Sequence, residues 1–235
     1  MKSLGLFGLP LVFALAPLVA ACGSEDPANG DAAPNVDSGP RSDADTSSRY
    51  LPMEVGRVWT YQVTPIGGAP EIKTSTVEAL EDIGGEKAGT TGFRVRTEKP
   101  DGVTVSWQED TGTAIVRHRE QEQTTTGSIT VEEYYVPFRT RLDESPAHLE
   151  NAAAWSESFT NRTVGVGDTA RQDQWTVEAV DEQVTVPAGT FSCIKVHRVG
   201  ADAGQADKRY WFARGVGKVK EEGGQLEELM ATSAP

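Results

Sequence analysis

Cysteine and histidine are nearly missing from this chain, and their scarcity removes several chemistries at once. Two cysteines, Cys22 and Cys193, and three histidines, His118, His148 and His197, occur in 235 residues. The histidines are scattered, and none falls in a metal-ligand spacing such as H-E-x-x-H. There is no G-x-S-x-G elbow, so a hydrolase of that type is unsupported. Basic residues are also short: 22 Lys and Arg stand against 35 Asp and Glu, a net charge of −13. A surface with that balance is poor for DNA, RNA or anionic lipid headgroups, whose phosphates demand clustered Lys and Arg. Helix is scarce too. Pro146 to Ala154 is the best candidate, with Ser145 as N-cap and Pro146 at the first position, and it reads equally as a structured loop.

Segments that imitate functional motifs fail on geometry. Gly84 to Thr91 looks like a phosphate loop, but its Lys87 precedes the second Gly and no helix follows to receive a phosphate. The run Asp43 to Ser47 lacks the central Gly and terminal Glu of a calcium loop. Glu132-Glu133 and Glu221-Glu222 are adjacent, so on a strand each pair points to opposite faces, which is poor geometry for shared acid–base work. Asn161-Arg162-Thr163 matches a glycosylation sequon, a signal that carries no weight in a bacterium. The sequence thus offers no catalytic, cofactor-binding or metal-binding residues, and the chain reads as non-enzymatic.

What is present begins at the amino terminus. Lys2 supplies a positive charge, and Leu4 to Ala21 is apolar apart from glycines and prolines, the layout of an export signal. A membrane-spanning helix is the alternative for so long a run, but Pro10 and Pro17 would each cost its interior roughly 3 kcal/mol. The segment ends in Leu18-Val19-Ala20-Ala21-Cys22, which resembles the bacterial lipobox. The resemblance implies that residues 1–21 are removed and that Cys22 carries diacylglycerol on its sulfur and usually an acyl chain, such as palmitate, on its amino group. Two or more chains anchor stably where one is marginal, since each buried CH₂ contributes about 0.8 kcal/mol. Gly23, in place of Asp, favours the outer membrane of the cell envelope over the inner one, by similarity to enterobacterial sorting. Residues 22–48 then form a lipid anchor and an acidic linker too poor in large apolar side chains to fold, with an end-to-end reach of roughly 28 Å. Cys193 is left alone, so no intrachain disulfide is available. It lies in a strand-like run and reads as a small buried hydrophobe.

Residues 49–235 read as a single β-rich domain, long enough for one sizeable core. Runs of β-branched and aromatic residues occur at 57–63, 74–83, 92–97, 103–109, 114–120 and 129–138. After a less regular middle they resume at 155–164, 174–186, 191–199, 208–213, 218–221 and 226–230. Turn signals such as Gly67-Gly68, Pro100-Asp101-Gly102 and Pro187-Ala188-Gly189 separate most of them. Short strands at this spacing predict an all-β fold, an antiparallel sheet, sandwich or barrel. Tyr210-Trp211-Phe212-Ala213 is apolar on both faces, which predicts a strand crossing the core or receiving a helix. Trp59, Tyr61, Tyr210, Trp211 and Phe212 are candidates for core or for the wall of a ligand cavity.

Three segments taken together carry a family resemblance: Val55 to Tyr61, Val186 to Phe191 with Ile194-Lys195-Val196 following, and Tyr210 to Lys220. Their order and spacing resemble the TapB-like exported β-proteins of unknown function. The resemblance implies a half-open or flattened β-barrel, similar in outline to lipoprotein-carrier folds, and no established activity. On this basis the chain is expected to be a membrane-anchored envelope lipoprotein without a cofactor, and an apolar ligand or lipid in a barrel cavity is the first candidate partner. The alternatives are an envelope assembly protein working through outer strands or loops, and a hydrolase whose site would gather a histidine with a carboxylate.

Overall fold

The structure is a computed structural model that describes residues 48–200 and 207–235. The signal segment, Cys22 and the acidic linker up to residue 47 lie outside the described residues. Twelve strands follow one another in chain order: β1 (Val58–Pro65), β2 (Glu71–Asp82), β3 (Thr91–Lys99), β4 (Gly102–Asp110), β5 (Ala114–Gln123), β6 (Ile129–Asp143), β7 (Ala154–Thr163), β8 (Gly167–Val186), β9 (Gly189–Gly200), β10 (Lys208–Ala213), β11 (Gly217–Gly223) and β12 (Gln225–Ser233). Each pairs antiparallel with the next, and β1 pairs with β12. The result is an up-and-down barrel in which every strand has a partner on each side, with β6 and β7 paired only from Glu133↔Thr163 to Val136↔Thr160. The predicted antiparallel barrel is therefore there, and it is closed all the way round, from Val58↔Ser233 to Pro65↔Gln225 along the seam. The expected helix at 146–154 shrinks to a single 3-10 turn at Pro146–His148.

Strand periodicity sets two faces. On β1 the buried residues are Trp59, Tyr61 and Val63, alternate positions that face the barrel interior. The motifs of the two chain ends meet at this seam. Arg57 Nη1 donates to Gly215 O at 3.1 Å, Trp59 Nε1 to Val216 O at 2.7 Å and the Tyr61 hydroxyl to Lys218 O at 3.0 Å. Gly217 permits this contact: its φ is +106°, and a Cβ there would stand 2.7 Å from Trp59 Nε1. The third motif joins the same cluster. Pro187-Ala188 forms a two-residue hairpin between β8 and β9, Ala188 N donates to Leu229 O at 3.0 Å, and Phe191 packs against the buried Trp59 cluster. All three motifs thus help to build the barrel, and the two from the chain ends also turn side chains towards its interior.

Residues 49–53 cross one end of the barrel and floor it. Tyr50 N and Leu51 N donate to the Glu144 carboxylate at 2.9 and 3.2 Å, and Arg49 pairs with Asp110 at 3.0 Å and with Glu144 at 3.3 Å. Gly215 N donates to Arg49 O at 2.7 Å, and Arg214 Nη1 to Ser48 O at 2.7 Å. Leu51 and Met53 face the interior from this floor.

The outer face is charged. Arg94 pairs with Glu78 at 3.0 Å, Lys195 with Glu178 at 2.9 Å and Arg162 with Asp168 at 2.7 Å. A membrane-spanning barrel carries an apolar band at such positions. On β4 the usual alternation is inverted. Thr104, Ser106 and Gln108 face inward, while Val103, Val105 and Trp107 lie on the outer face. Trp107 is nonetheless buried, under the Arg119 guanidinium at 4.4 Å and hydrogen-bonded to Glu81 at 3.0 Å.

Candidate functional site

The barrel is hollow. Its interior holds a cavity of about 630 Å³, floored by Leu51 and Met53 and rimmed at the other end by Pro65, Glu71, Lys99 and Asp101 from the hairpin connections. One part of its wall is aromatic. Of the five aromatics that the sequence offered as core or cavity wall, Trp59, Tyr61, Tyr210 and Phe212 line it and Trp211 does not. The next residue along the strand from Tyr210, it takes the outer face, where its Nε1 donates to Glu182 at 3.1 Å and the ammonium groups of Lys195 and Lys220 lie 5.1 and 4.9 Å from its ring. Trp211 and Ala213 also belong to a buried apolar cluster with Val184, Val186, Cys193 and Val219, so strand residues together with the two lysines, and no helix, cover the second apolar face of β10.

The rest of the wall is ionic, which sequence reading missed. Lys218 Nζ bridges Glu227, at 2.6 Å, and Glu221; Lys208 reaches Glu221 at 2.5 Å, and Lys73 closes the chain on Glu227. Burial works against the charge on Glu221, but Lys218 and Lys208 outweigh it and hold the carboxyl far below its usual range. Glu227 is held low in the same way by Lys218 and Lys73, against burial and the repulsion of Glu221. Lys218, flanked by both carboxylates, is raised despite its burial. Lys73 goes the other way, pushed down to about 7 by burial and then by the nearby Lys218 charge. Its folded value therefore lies below the unfolded one, so its contribution to stability rises as pH climbs from about 7 to about 10.5. The Lys73 amine should titrate near neutrality when followed by ¹³Cε chemical shift; a midpoint above 10 would mean that bulk water solvates it.

A second ionic group spans β5, β6, β8 and β9. Arg139 Nε reaches Asp173 Oδ2 at 3.2 Å, Arg198 Nη1 reaches the same oxygen at 3.7 Å, and Arg117 pairs with Glu120. Arg198 also lies over Trp175 and Tyr210, at 5.7 and 5.6 Å from the ring centroids. Arg141 lines the cavity between these groups with no carboxylate at ion-pair distance among the described residues, and burial followed by the Arg117 charge pushes it down to about 10, so it stays charged at neutral pH. The sequence signal for both groups is a parity. Charged residues such as Lys73 and Glu227 fall in step with the buried Val77 and Leu229 on their strands, yet an inward charge and an outward one look alike until register is known.

The three histidines are dispersed. His118 Nε2 meets Glu109 at 2.8 Å, His148 Nδ1 meets Asp143 at 2.8 Å while stacking on Trp155, and His197 Nε2 meets Asp207 at 2.5 Å. None lines the cavity, so the arrangement that a hydrolase would need is not formed there. Cys193 is buried, and burial raises its thiol to about 12, in keeping with a packing role. In the loop that imitates a phosphate site, the Asp82 carboxylate takes Gly84 N at 2.7 Å and Gly89 N at 2.6 Å, so the loop satisfies its own amides.

No protein-family profile matches this chain, and no curated protein does. The TapB-like resemblance is therefore not matched by a family assignment. Two solved structures align with most of the chain. One is titled a "putative lipoprotein" from Parabacteroides distasonis, 13% identical, covering 79% of this chain and 99% of its own with a TM-score of 0.38. The other is titled a "putative exported protein with YmcC-like fold" from Bacteroides fragilis, 15% identical, covering 78% and 98% with a TM-score of 0.33. Likeness at that level carries no argument about activity.

Proposed function

We propose that the protein is an envelope lipoprotein, anchored through Cys22, whose barrel binds a small ligand in its interior. The hollow carries this reading. A cavity of about 630 Å³ falls within the roughly 300–1,000 Å³ range of small-molecule sites. Its wall also keeps ionised side chains where well-packed hydrophobic residues would often give equal or greater stability. The lining chemistry narrows the ligand: a purely apolar chain would strand Lys73, Arg141 and Arg198 against hydrocarbon, so a partly polar molecule fits better. The test is native mass spectrometry of protein released from its host envelope without denaturant. A small molecule of constant mass should accompany the chain, and a consistently empty barrel would remove the reading.

The anchor has its own test. Cys22→Ser should abolish incorporation of radioactive palmitate and release the protein from membranes; normal labelling of that variant would end the proposal. A second reading, an assembly protein, draws support from the hairpin tips, where Ile66 and Val166 are each 84% exposed. The closed sheet moves that reading from strand edges to the loops. In-cell crosslinking from Ile66 that returned only the monomer would count against it.

A further inference from the structure

The ionic wall of the cavity is unevenly balanced. Around β5, β6, β8 and β9, four guanidinium groups, Arg117, Arg139, Arg141 and Arg198, all line the cavity, and two carboxylates, Glu120 and Asp173, serve them. Arg117 occupies Glu120, while Arg139 and Arg198 share one oxygen of Asp173. Arg141 is left without an acid. Its Nε has no hydrogen-bond partner, and the same is true of the Nε atoms of Arg117 and Arg198. Arg198 is only 7% exposed, so its open donor is not repaid by bulk water. Buried donors without partners are costly, and four guanidinium groups served by two carboxylates leave this wall with an excess of positive charge and of donors.

We propose that this part of the cavity is an anion subsite that holds the carboxylate or phosphate of an organic anion, with the ligand's flat apolar body lying along Tyr210 and Phe212. The planar guanidinium fork matches both oxyanions in bidentate geometry, which a lysine ammonium does not. The apolar half of the assignment follows from placement: Arg198 lies over the Tyr210 ring, and Tyr210 and Phe212 stack at 6.0 Å on the same cavity wall. In the lysine group opposite, Lys73, Lys208 and Lys218 share Glu221 and Glu227, three cations on two carboxylates against four on two, so that side has the smaller excess of positive charge and competes less for the anion. The inference rests on the reading of the hollow as a ligand site and adds the ligand's chemistry.

Calorimetric titration of the full chain carrying Cys22→Ser, which keeps lipid out of the assay, tests both together. The probes are 1-naphthoate, 1-naphthyl phosphate, neutral 1-naphthol and inorganic phosphate. At least one naphthyl anion should bind ten-fold or more tighter than 1-naphthol, and whichever of the two binds tighter tells a carboxylate ligand from a phosphate one. Arg141→Met should weaken that anion at least ten-fold, with Arg141→Lys intermediate and 1-naphthol unchanged. The melting temperature of Arg141→Met should hold or rise, because the substitution removes a buried charge that has no partner. If 1-naphthol binds as well as the anions and Arg141→Met changes nothing, the anion subsite is overturned while the hollow remains a ligand site. If inorganic phosphate binds as tightly as naphthyl phosphate, the aromatic half of the assignment fails. If no probe binds, the subsite and the ligand reading fall together.

Discussion

Lys218→Met will cost the barrel about 3–5 kcal/mol, the range seen when one member of a buried ionic cluster is removed and its partners are left uncompensated. The side chains of Lys218, Glu221 and Glu227 are 12%, 5% and 3% exposed, so water cannot take over the vacated role. Without the ammonium, two carboxylates face each other with only Lys208 and Lys73 to hold them. For a domain of this size the loss corresponds to a melting temperature lower by roughly 10 °C. The pH dependence carries a sign of its own. In the parent protein both carboxyls are held below their unfolded range, so their stabilisation is complete above about pH 4.5 and fades as pH falls through the folded values. The variant's carboxyls protonate more readily, so its deficit should narrow as the medium is acidified below about pH 4.5. Adding Glu221→Gln to Lys218→Met should recover part of the loss. Urea unfolding at neutral and acidic pH measures all of this, and a deficit under about 1 kcal/mol at pH 7 would mean that the cluster is solvated after all.

Trp59→Ala should cost about 3–5 kcal/mol, the usual penalty for emptying a large aromatic site in a core. Trp59 is 4% exposed, packs in the cluster with Met53, Val77 and Leu229, and donates to Val216 O across the region where the barrel closes. Trp59→Phe separates the two contributions. It keeps most of the buried area but leaves Val216 O without its donor, for a loss of about 1–2 kcal/mol. The gap between the two variants in equilibrium unfolding is the packing share. If phenylalanine proved as damaging as alanine, the hydrogen bond and not the volume would be holding the closure.

Much of the strand pattern was legible because period-two alternation and turn residues are local. All twelve β-runs in the sequence become strands, in order. Their limits moved where local signals weaken: β8 begins at Gly167, well before the run at 174, since Thr169-Ala170-Arg171-Gln172 carries little strand signal of its own. Closure was not legible, because it depends on pairing Val58 with Ser233, residues at opposite ends of the domain. The hollow was not legible for a related reason. Hydrophobic-in, polar-out is the rule by which faces are assigned, and β4 breaks it, with Ser106 and Gln108 inside and Val105 and Trp107 outside. Of the five aromatics that the sequence offered as core or cavity wall, four line the cavity and Trp211 lies buried outside it. A pattern of apolar residues on both faces cannot say whether a helix covers the second face or, as here, strand residues such as Val184 and Val186 together with Lys195 and Lys220.

The floor of the barrel bears on how the domain would respond to mechanical load. A pull on the chain at residue 48 reaches Arg49, Tyr50 and Leu51 before it reaches β1, and these are fastened to Asp110, Glu144 and the 214–215 turn at once. Those attachments must give before the first strand can be peeled from β12. Force arriving from a tether is therefore spread over three hairpin connections, and the closing pair of strands is shielded from it.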